Sequence, residues 1–429
     1  MKHILYCTLV VLLGMQFSFS QTILDDLKTN IKYLSSDELE GRRAGERGNN
    51  TTANYIAEQF KKYNIETVTS DKSYFQPFEI VTGVKTGEGT SCVATVGHQI
   101  VEFIADSMFR PLGFSEDGTV SSEVVFAGYG ISSEKLQYDD YANLDVKGKI
   151  VVVLRFSPPA DSANRIEFER LSSFRNKARV AREKGAAAII FVTGPIDEEV
   201  PKLLKLRYDN EEGSAGIIVL KLTCTALDSI FISNEKSLRD VQMEINESKK
   251  PASFVLPNTT MNITVHLNKI KAKTQNVIGL LRSNEETNQE YIVIGAHFDH
   301  LGYGGEGSGS TKPDTIAIHN GADDNASGTS GMLALARMFS ENRKKIHRNI
   351  IFMGFTGEEM GLLGSAYYSS NPIIPLEKTV GMVNLDMIGR LKDKTITVYG
   401  TGTSPVFDSL LNVFNTDSMF VLKKTKDGY

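Results

Sequence analysis

Cysteine is scarce in this sequence, with three among 429 residues. Cys7 lies in the apolar N-terminal segment, too near the start to be a lipid-modified cysteine, and Cys92 and Cys224 are the others. These two lie in apolar surroundings and far apart in the sequence, which is not the pattern of a disulfide framework. We therefore expect two buried free thiols.

An excess of positive charge is also absent. The chain has 47 Lys and Arg against 52 Asp and Glu, a formal net charge of -5, and its basic residues are scattered. A protein that binds nucleic acid needs a basic face to neutralise phosphates. We therefore expect no nucleic-acid partner.

Long apolar runs are missing beyond the N-terminus. There, the apolar run ILYCTLVVLLGM follows the charged MKH and precedes SFS, a small-x-small cleavage site. The run is shorter than the roughly 20 apolar residues of a membrane-spanning helix. We predict that residues 1–20 are a signal peptide, that no membrane span remains after cleavage, and that the protein is secreted or periplasmic.

The length of the chain predicts two domains, because 429 residues with 41% hydrophobic content exceed what one core usually holds. Two amphipathic helices are predicted first, in ILDDLKTNIKYLSS and NNTTANYIAEQFKKYNI. The segment that joins them, DELEGRRAGERGNN, is rich in glycine and charge. From its residues alone we expect a solvated loop.

The rest of the chain has the pattern of an α/β protein. A strand, a helix and a second strand are predicted in KIVVVLRF, FRNKARVAREKG and AAAIIFVTG, which indicates a small α/β module. From about residue 255, apolar strands alternate with helical segments. This alternation predicts a mostly parallel mixed sheet covered by helices on both faces.

Ionisable residues follow the predicted strands of this second region. In open α/β sheets, functional groups gather beyond the carboxyl ends of the strands, so these side chains could meet at one edge. They come after YIVIGA, NIIFMGFTG and VGMVNL and in the turn NGADDNASGTSG: His297 and Asp299, Glu358 and Glu359, Asp386, and Asp323 and Asp324.

Each of these residues has an ordinary structural explanation when taken singly. The Asp323–Asp324 pair, for example, could simply cap the helix that follows. Together they form a set of carboxylates that would repel one another, and burying such a set requires a compensating cation. One histidine with several carboxylates suits Zn²⁺ or, less specifically, Mn²⁺ or Co²⁺. The carboxylates suffice for two ions, bridged by one Asp at a separation of roughly 3.5–4 Å.

Four motifs in this region resemble a known family. AHFDH, GADDNASG, GFTGEEMGLLGS and NLDMIG are similar to the successive motifs of two-zinc exopeptidases of the secreted bacterial leucyl aminopeptidase type. Segments such as VVFAGYGI and AREKGAAAIIFVTG resemble a protease-associated domain. The resemblance predicts a zinc peptidase domain of residues 21–110 and 255–429, with a protease-associated insert of residues 111–254.

The resemblance also implies a role for each site residue. His297 and Asp386 would hold one Zn²⁺, Glu359 the other, and Asp324 would bridge them, giving two Zn²⁺ per subunit. Glu358 would be the general base, and Asp299 would orient His297. The family often has a cis peptide bond after the bridging Asp, here before Asn325.

The remaining histidines are weaker candidates, and His98, His266 and His347 have no metal-like spacing. His300 and His319 could line a substrate cavity, but we expect surface positions, and we take His98, His266 and His347 as structural or exposed. The family pattern ends with a further His ligand beyond the Asp386 position, and this sequence has none after His347. We therefore expect the sequence to be C-terminally incomplete, with the final ligand beyond Tyr429.

The implied function is that of a zinc aminopeptidase acting on peptides, in which metal-activated water attacks the scissile carbonyl while Glu358 accepts its proton. Alternatives are a carboxypeptidase, a glutaminyl cyclase-like relative or a catalytically silent, receptor-like binding protein. Retention of the base Glu358 favours an enzyme, because a binding protein needs no general base. Retention of both His297 and Asp386 favours two metals over the single metal of the cyclase.

Overall fold

The structure is a computed structural model and describes residues 22–69, 71–198, 200, 202–208, 213–285, 289–305 and 307–428. The predicted signal peptide, residues 1–20, lies outside the described residues. Within the described ranges, no helix is both long enough and apolar enough to cross a membrane.

Among the described residues, nine strands follow the second α-helix before the third begins, and from there onward helices and strands alternate singly or in short groups. The helices are α1 (22–34), α2 (Arg47–Lys62), α3 (Arg165–Leu171), α4 (Phe174–Glu183), α5 (Cys224–Ile232), α6 (Leu238–Ser248), α7 (Gly328–Glu341), α8 (Leu363–Ser370) and α9 (Phe407–Phe414). The strands are β1 (Glu66–Thr67), β2 (Phe75–Thr86), β3 (Ser91–Val96), β4 (Gln99–Phe103), β5 (Phe109–Pro111), β6 (Gly118–Ala127), β7 (Ser132–Ser133), β8 (Tyr138–Asp139), β9 (Ile150–Leu154), β10 (Ala188–Val192), β11 (Ile218–Leu222), β12 (Ser253–Val265), β13 (Leu267–Leu281), β14 (Tyr291–His297), β15 (Asn349–Phe355), β16 (Thr379–Asn384), β17 (Thr395–Val398) and β18 (Val421–Lys424).

The chain forms two compact units. We call Met1–Ile80 with Ala272–Tyr429 the split unit, and Val81–Lys271 the inserted unit. The inserted unit extends beyond the predicted insert, residues 111–254, at both ends. It does so because β3, β4 and all of β12 belong to its sheet. The bounds of a protease-associated domain within this unit stay a prediction.

The split unit is built on a mixed sheet. Its strand order is β1-β13-β15-β14-β16, with β2 beside β13. Strand β14 is parallel to both of its neighbours, β15 and β16, whereas β13 is antiparallel to β15. Because β14, β15 and β16 are parallel neighbours, their carboxyl ends lie at one edge of the sheet.

Helices cover both faces of this sheet. Successive residues of a strand point to opposite faces, and β15 follows that rule. Phe352 packs in a core with α2 and α7, through residues such as Phe60 and Leu333. Met353 packs on the other face, in a core that includes Tyr368 of α8. The predicted α/β class is therefore confirmed, and the parallel part of this sheet comprises β14, β15 and β16.

The inserted unit has its own sheet and its own cores. The strand order is β4-β3-β12-β6-β9-β10-β11-β5, in which β6, β9, β10 and β11 are parallel. One core contains residues of α5 and α6, and the other contains residues of α4. Cys92 and Cys224 are both buried and free, as predicted from the sequence.

Candidate metal centre

Three neighbouring strand ends bring the predicted site residues together. Strand β14 ends at His297, β15 ends shortly before Glu358 and Glu359, and β16 ends shortly before Asp386. Strand β14 lies between the other two, so its exit is flanked by the glutamate pair and by Asp386. Asp324, from the turn Ala322–Ser327 before α7, reaches the same place.

The imidazole of His297 lies at the centre of this group. It is 3% exposed. Its Nε2 atom lies 3.3 Å from Asp324 Oδ1, 3.3 Å from Asp386 Oδ1 and 4.0 Å from Glu358 Oε2. Donors bound to one tetrahedral zinc ion at 2.0–2.2 Å are about 3.4 Å apart. The nitrogen of His297 and the oxygens of Asp324 and Asp386 therefore fit the ligand set of one ion.

A second group of donors shares Asp324 with the first. It consists of His300, Asp324 and Glu359. His300 Nδ1 lies 2.6 Å from Glu359 Oε1 and 3.9 Å from Asp324 Oδ1. Asp324 is thus the carboxylate common to both groups, which is the position that a bridging ligand requires.

The expectation that His300 lies at the surface is wrong. The residue is 9% exposed, and its ring contacts Glu359. Its backbone N–H donates to the carbonyl of Arg42, which draws this residue towards the segment between α1 and α2. His319 is half-buried, with its ring centroid 6.3 Å from that of His300. The other three, His98, His266 and His347, are exposed, in agreement with the sequence.

Asp299 is fully buried beside the glutamate pair. Its carboxylate accepts hydrogen bonds from the backbone N–H groups of Glu358, at 3.1 Å, and Glu359, at 3.3 Å. The Nδ1 atom of His297 lies 3.6 Å from Asp299 Oδ1 and 3.3 Å from the Asp299 carbonyl oxygen. The carboxylate of Asp299 therefore holds the turn that presents both glutamates.

The charges of the site shift its pKa values. Burial alone would lower the pKa of His297, but the carboxylates of Asp299, Asp324 and Asp386 outweigh it and raise this pKa to about 12. The hydrogen bond with His297 lowers the pKa of Asp324. Burial raises the pKa of Glu358. Without a metal ion, His297 is therefore protonated, and its charge offsets part of the repulsion among the carboxylates.

Asp323, the other residue of the Asp323–Asp324 pair, makes contacts away from the two donor groups. Asp323 accepts hydrogen bonds from the backbone N–H of Gly389, at 2.8 Å, and from Nε of Arg390, at 2.5 Å. It therefore fixes the segment that follows Asp386 and is in neither donor group. The peptide bond between Asp324 and Asn325 is cis, as the resemblance implied.

Sequence reasoning missed Arg42. The segment DELEGRRAGERGNN was expected to be a solvated loop, yet Arg42 is 1% exposed and donates a 2.9 Å hydrogen bond to the carbonyl of Phe298. The expectation is therefore wrong for this residue. Nothing in the spacing or the charge of the segment distinguishes Arg42 from Arg43 or Arg47, because its burial depends on residues far along the chain.

One region in each of the two units matches the model of a known protein family. Residues 276–424 match the Peptidase family M28 model, and residues 120–236 match the PA domain model. These two regions of the chain are therefore similar to M28 peptidases and to PA domains, respectively. The M28 match includes every predicted site residue, and the PA match lies inside the inserted unit.

Similar sequences include proteins named as a zinc metalloprotease and an aminopeptidase. A probable zinc metalloprotease of Phaeosphaeria nodorum is 32% identical over 27% of this chain and 24% of its own. Aminopeptidase YwaD of Bacillus subtilis is 31% identical over 30% of this chain and 26% of its own. These matches thus span about a quarter of each relative. The structure of BSAP, a zinc aminopeptidase from Bacillus subtilis, aligns with 94% of this chain and covers 79% of the BSAP chain, at 20% identity and a TM-score of 0.48.

Proposed function

We propose that this protein is a zinc-dependent aminopeptidase that removes N-terminal residues from peptides. The observation that carries the proposal is the cluster of His297, Asp324 and Asp386 at metal-ligand spacing, with Glu358 beside it. The M28 domain match over this region supports a peptidase, and relatives named as a zinc metalloprotease and an aminopeptidase support the metal and the class of substrate.

Two Zn²⁺ ions per subunit would be held by the two donor groups, with Mn²⁺ or Co²⁺ as alternatives. His297, Asp324 and Asp386 would bind the first ion, and Asp324, Glu359 and His300 the second. The 2.6 Å contact of His300 with Glu359 is a hydrogen bond, and ligands of one ion would stand about 3.4 Å apart. A ligand beyond Tyr429 stays a prediction.

The residues around the ions have separate tasks in peptide hydrolysis. Bound zinc lowers the pKa of water and polarises the scissile carbonyl. Glu358, whose side chain is 34% exposed and whose pKa is raised by burial, would accept the proton of the attacking water and pass it to the leaving amine. The carboxylate of Asp299 would keep Glu358 in place by accepting a hydrogen bond from the backbone N–H of Glu358.

The presence of Glu358 favours an enzyme over a receptor-like binding protein. A binding protein could use metal ions to hold the fold, but it has no use for a partly exposed carboxylate directed at the ions. Asp386 is likewise accessible, with 42% of its side chain exposed, so a substrate could reach this side of the site. Secretion or export to the periplasm, predicted from residues 1–20, stays part of the proposal.

A substrate panel tests the proposed function. Peptides with free N-termini, peptides with blocked N-termini and aminoacyl chromogenic amides are incubated with the protein before and after chelation, and again after Zn²⁺ is restored. We expect release of N-terminal residues that is lost on chelation and recovered with Zn²⁺. Release only from N-terminally blocked peptides would indicate a carboxypeptidase, and zinc binding without any hydrolysis would indicate a silent relative.

A further inference from the structure

Arg42 is a buried cation whose hydrogen bonds go to backbone carbonyls. Its Nε donates to Phe298 at 2.9 Å, its Nη2 donates to Gly321 at 2.9 Å, and its Nη1 donates to Asn320 at 2.7 Å. Nη1 also donates to the carbonyl of Leu34, the last residue of α1. One guanidinium group therefore joins three separate stretches of chain.

The acceptors lie directly beside the proposed metal ligands. Phe298 stands between His297 and Asp299 at the exit of β14, and Gly321 precedes the turn that carries Asp324. The backbone of Arg42 adds a further link, because its carbonyl accepts from the N–H of His300 at 3.3 Å. His297, His300 and Asp324 are therefore all tied to one residue, although they come from two different turns.

The local backbone is held in an uncommon conformation around this contact. Arg42 has a φ of 52° and Gly41 a φ of 69°, both in the left-handed region. Such a conformation is disfavoured for a non-glycine residue and persists where the surrounding structure determines it. Gly41 also allows a close approach, since a Cβ there would lie 2.4 Å from the carbonyl oxygen of Gly302.

The charge of Arg42 is retained despite its burial. Burial lowers its pKa to about 10, and the carboxylates of Asp299, Asp324 and Glu359 act in the opposite direction. Arginine presents five N–H donors in a rigid planar fork, whereas lysine offers a single ammonium with three donors. Arginine can therefore reach acceptors in several directions from three nitrogen atoms, whereas all the donors of lysine lie on one nitrogen.

We propose that Arg42 is a positioning residue for the metal centre, which holds the segments that carry His297, His300 and Asp324 beside one another before any ion binds. The proposal rests on the proposed metal site. Two effects of Arg42 oppose each other and can be separated by substitution. Its positive charge disfavours a cation nearby, whereas its hydrogen bonds pre-organise the ligands and favour that cation.

Three variants test this role in the full chain. Arg42→Lys keeps the charge and loses the fork, and Arg42→Met loses both. Arg47→Met is the matched control, because Arg47 lies in the same segment with 65% of its side chain exposed and pairs with Glu40. The measurements are Zn²⁺ affinity by chelator competition, the visible spectrum of the Co²⁺-loaded protein, and the melting temperature of the metal-free form.

We expect Arg42→Lys and Arg42→Met to weaken Zn²⁺ binding by about 10- to 100-fold, as loss of residues that orient metal ligands does. Both should also change the Co²⁺ spectrum, which reports ligand geometry, and Arg47→Met should match the wild type. Tighter Zn²⁺ binding by Arg42→Met with unchanged binding by Arg42→Lys would show that only the charge matters and would overturn the proposal.

Two further outcomes separate this role from others. A lower melting temperature with wild-type Zn²⁺ affinity in both variants would mean a purely structural role and would overturn only the proposal for Arg42. Failure of the wild type to bind Zn²⁺ would overturn the proposed function itself. Should Arg42→Met fold poorly, Arg42→Ala is assayed with methylguanidinium, and folded protein whose affinity is not restored would contradict the proposal.

Discussion

The carboxylate of Asp299 accepts the backbone N–H of Glu358 at 3.1 Å, across the exits of two neighbouring parallel strands. Asp299 follows β14 and Glu358 follows β15, so this hydrogen bond fixes one strand exit relative to the other. The second oxygen of Asp299 accepts the N–H of Glu359 at 3.3 Å. One buried side chain therefore positions, through their backbone, both the proposed general base Glu358 and the proposed metal ligand Glu359.

Replacing Asp299 by Asn should lower both turnover and metal affinity. An amide has one oxygen, so one of the two backbone N–H groups would face Nδ2 and lose its acceptor. We expect Zn²⁺ affinity to fall by about 10- to 100-fold, with a lower kcat at saturating Zn²⁺. Asp25→Asn, at an exposed position of α1, is the control. Wild-type kcat and Zn²⁺ affinity in Asp299→Asn would show that the two hydrogen bonds have no functional role.

Replacing Glu358 by Gln should remove the base and leave the metals in place. Glutamine has the shape of the glutamate but cannot accept the proton of water, so we expect kcat to fall by about 10²- to 10⁴-fold. Zinc content, measured by elemental analysis, should stay at the wild-type value, because Glu358 is in neither donor group. Glu377→Gln, at an exposed position, is the control. Activity at the wild-type level would exclude Glu358 as the base.

Binding of the first ion should release a proton from His297. In the metal-free protein its pKa is about 12, so the ring is protonated at neutral pH and must lose that proton to become a ligand. Zinc affinity should therefore rise about tenfold per pH unit between pH 6.5 and 9. Titration calorimetry in buffers of different ionisation enthalpy measures the number of protons released when zinc binds. Heats that do not depend on the buffer would contradict the protonated state.

The same shift has a defined sign for the stability of the metal-free protein. The pKa of His297 is raised on folding from 6.5 to about 12, so the protonated ring stabilises the fold. This stabilisation is complete below pH 6.5, decreases as the pH rises above that value, and is lost by about pH 12. Chemical denaturation of the chelator-treated protein at several pH values measures it.

Replacing His300 by Gln should weaken binding of the second ion and leave binding of the first ion unchanged. His300 is the nitrogen donor of the second group, and the first group does not include it. We expect the zinc content after dialysis to fall from two ions per chain towards one. His319→Gln is the control, since His319 is close to His300 but belongs to neither group. Two tightly bound ions in His300→Gln would require another ligand for the second ion.

The parts of the site that sequence could predict are those encoded locally. An apolar run such as RNIIFMGFT indicates a strand by itself, and β15 occupies Asn349–Phe355 within it. Polar residues directly after parallel strands were then expected to meet. In the structure, Nε2 of His297 lies 3.3 Å from Oδ1 of Asp386. Both inferences need only the residues of one segment and the general geometry of α/β sheets.

The burial of Arg42 and His300 could not be predicted in this way. Arg42 is buried because it contacts Phe298, which lies 256 residues further along the chain. His300 is buried because Glu359, 59 residues further on, accepts its hydrogen bond. A charged residue in a glycine-rich segment and a histidine after a strand have the same local pattern whether they are exposed or buried. Only the tertiary contacts distinguish these cases.

Gly48 is a site where one methyl group should destabilise the split unit. A Cβ at this position of α2 would lie 1.8 Å from the carbonyl oxygen of Leu39, which lies with Arg42 in the 3₁₀ turn Asp37–Arg42. A backbone carbonyl cannot rotate away as a side chain can, so α2 or the turn must shift. This shift should lower the free energy of unfolding by about 1–3 kcal/mol. We expect Gly48→Ala to lower the denaturation midpoint of the metal-free protein.

Gly381 provides a matched control for this substitution. It lies in the edge strand β16, where an added Cβ would meet no atom within 4 Å and the backbone conformation is open to any residue. Gly381→Ala should therefore leave the midpoint unchanged, so a drop confined to Gly48→Ala isolates the contact between α2 and Leu39. If Gly48→Ala lowers the midpoint and also weakens Zn²⁺ binding, the displaced turn has moved Arg42 with it. An unchanged midpoint in Gly48→Ala would mean that α2 and this turn separate at little cost.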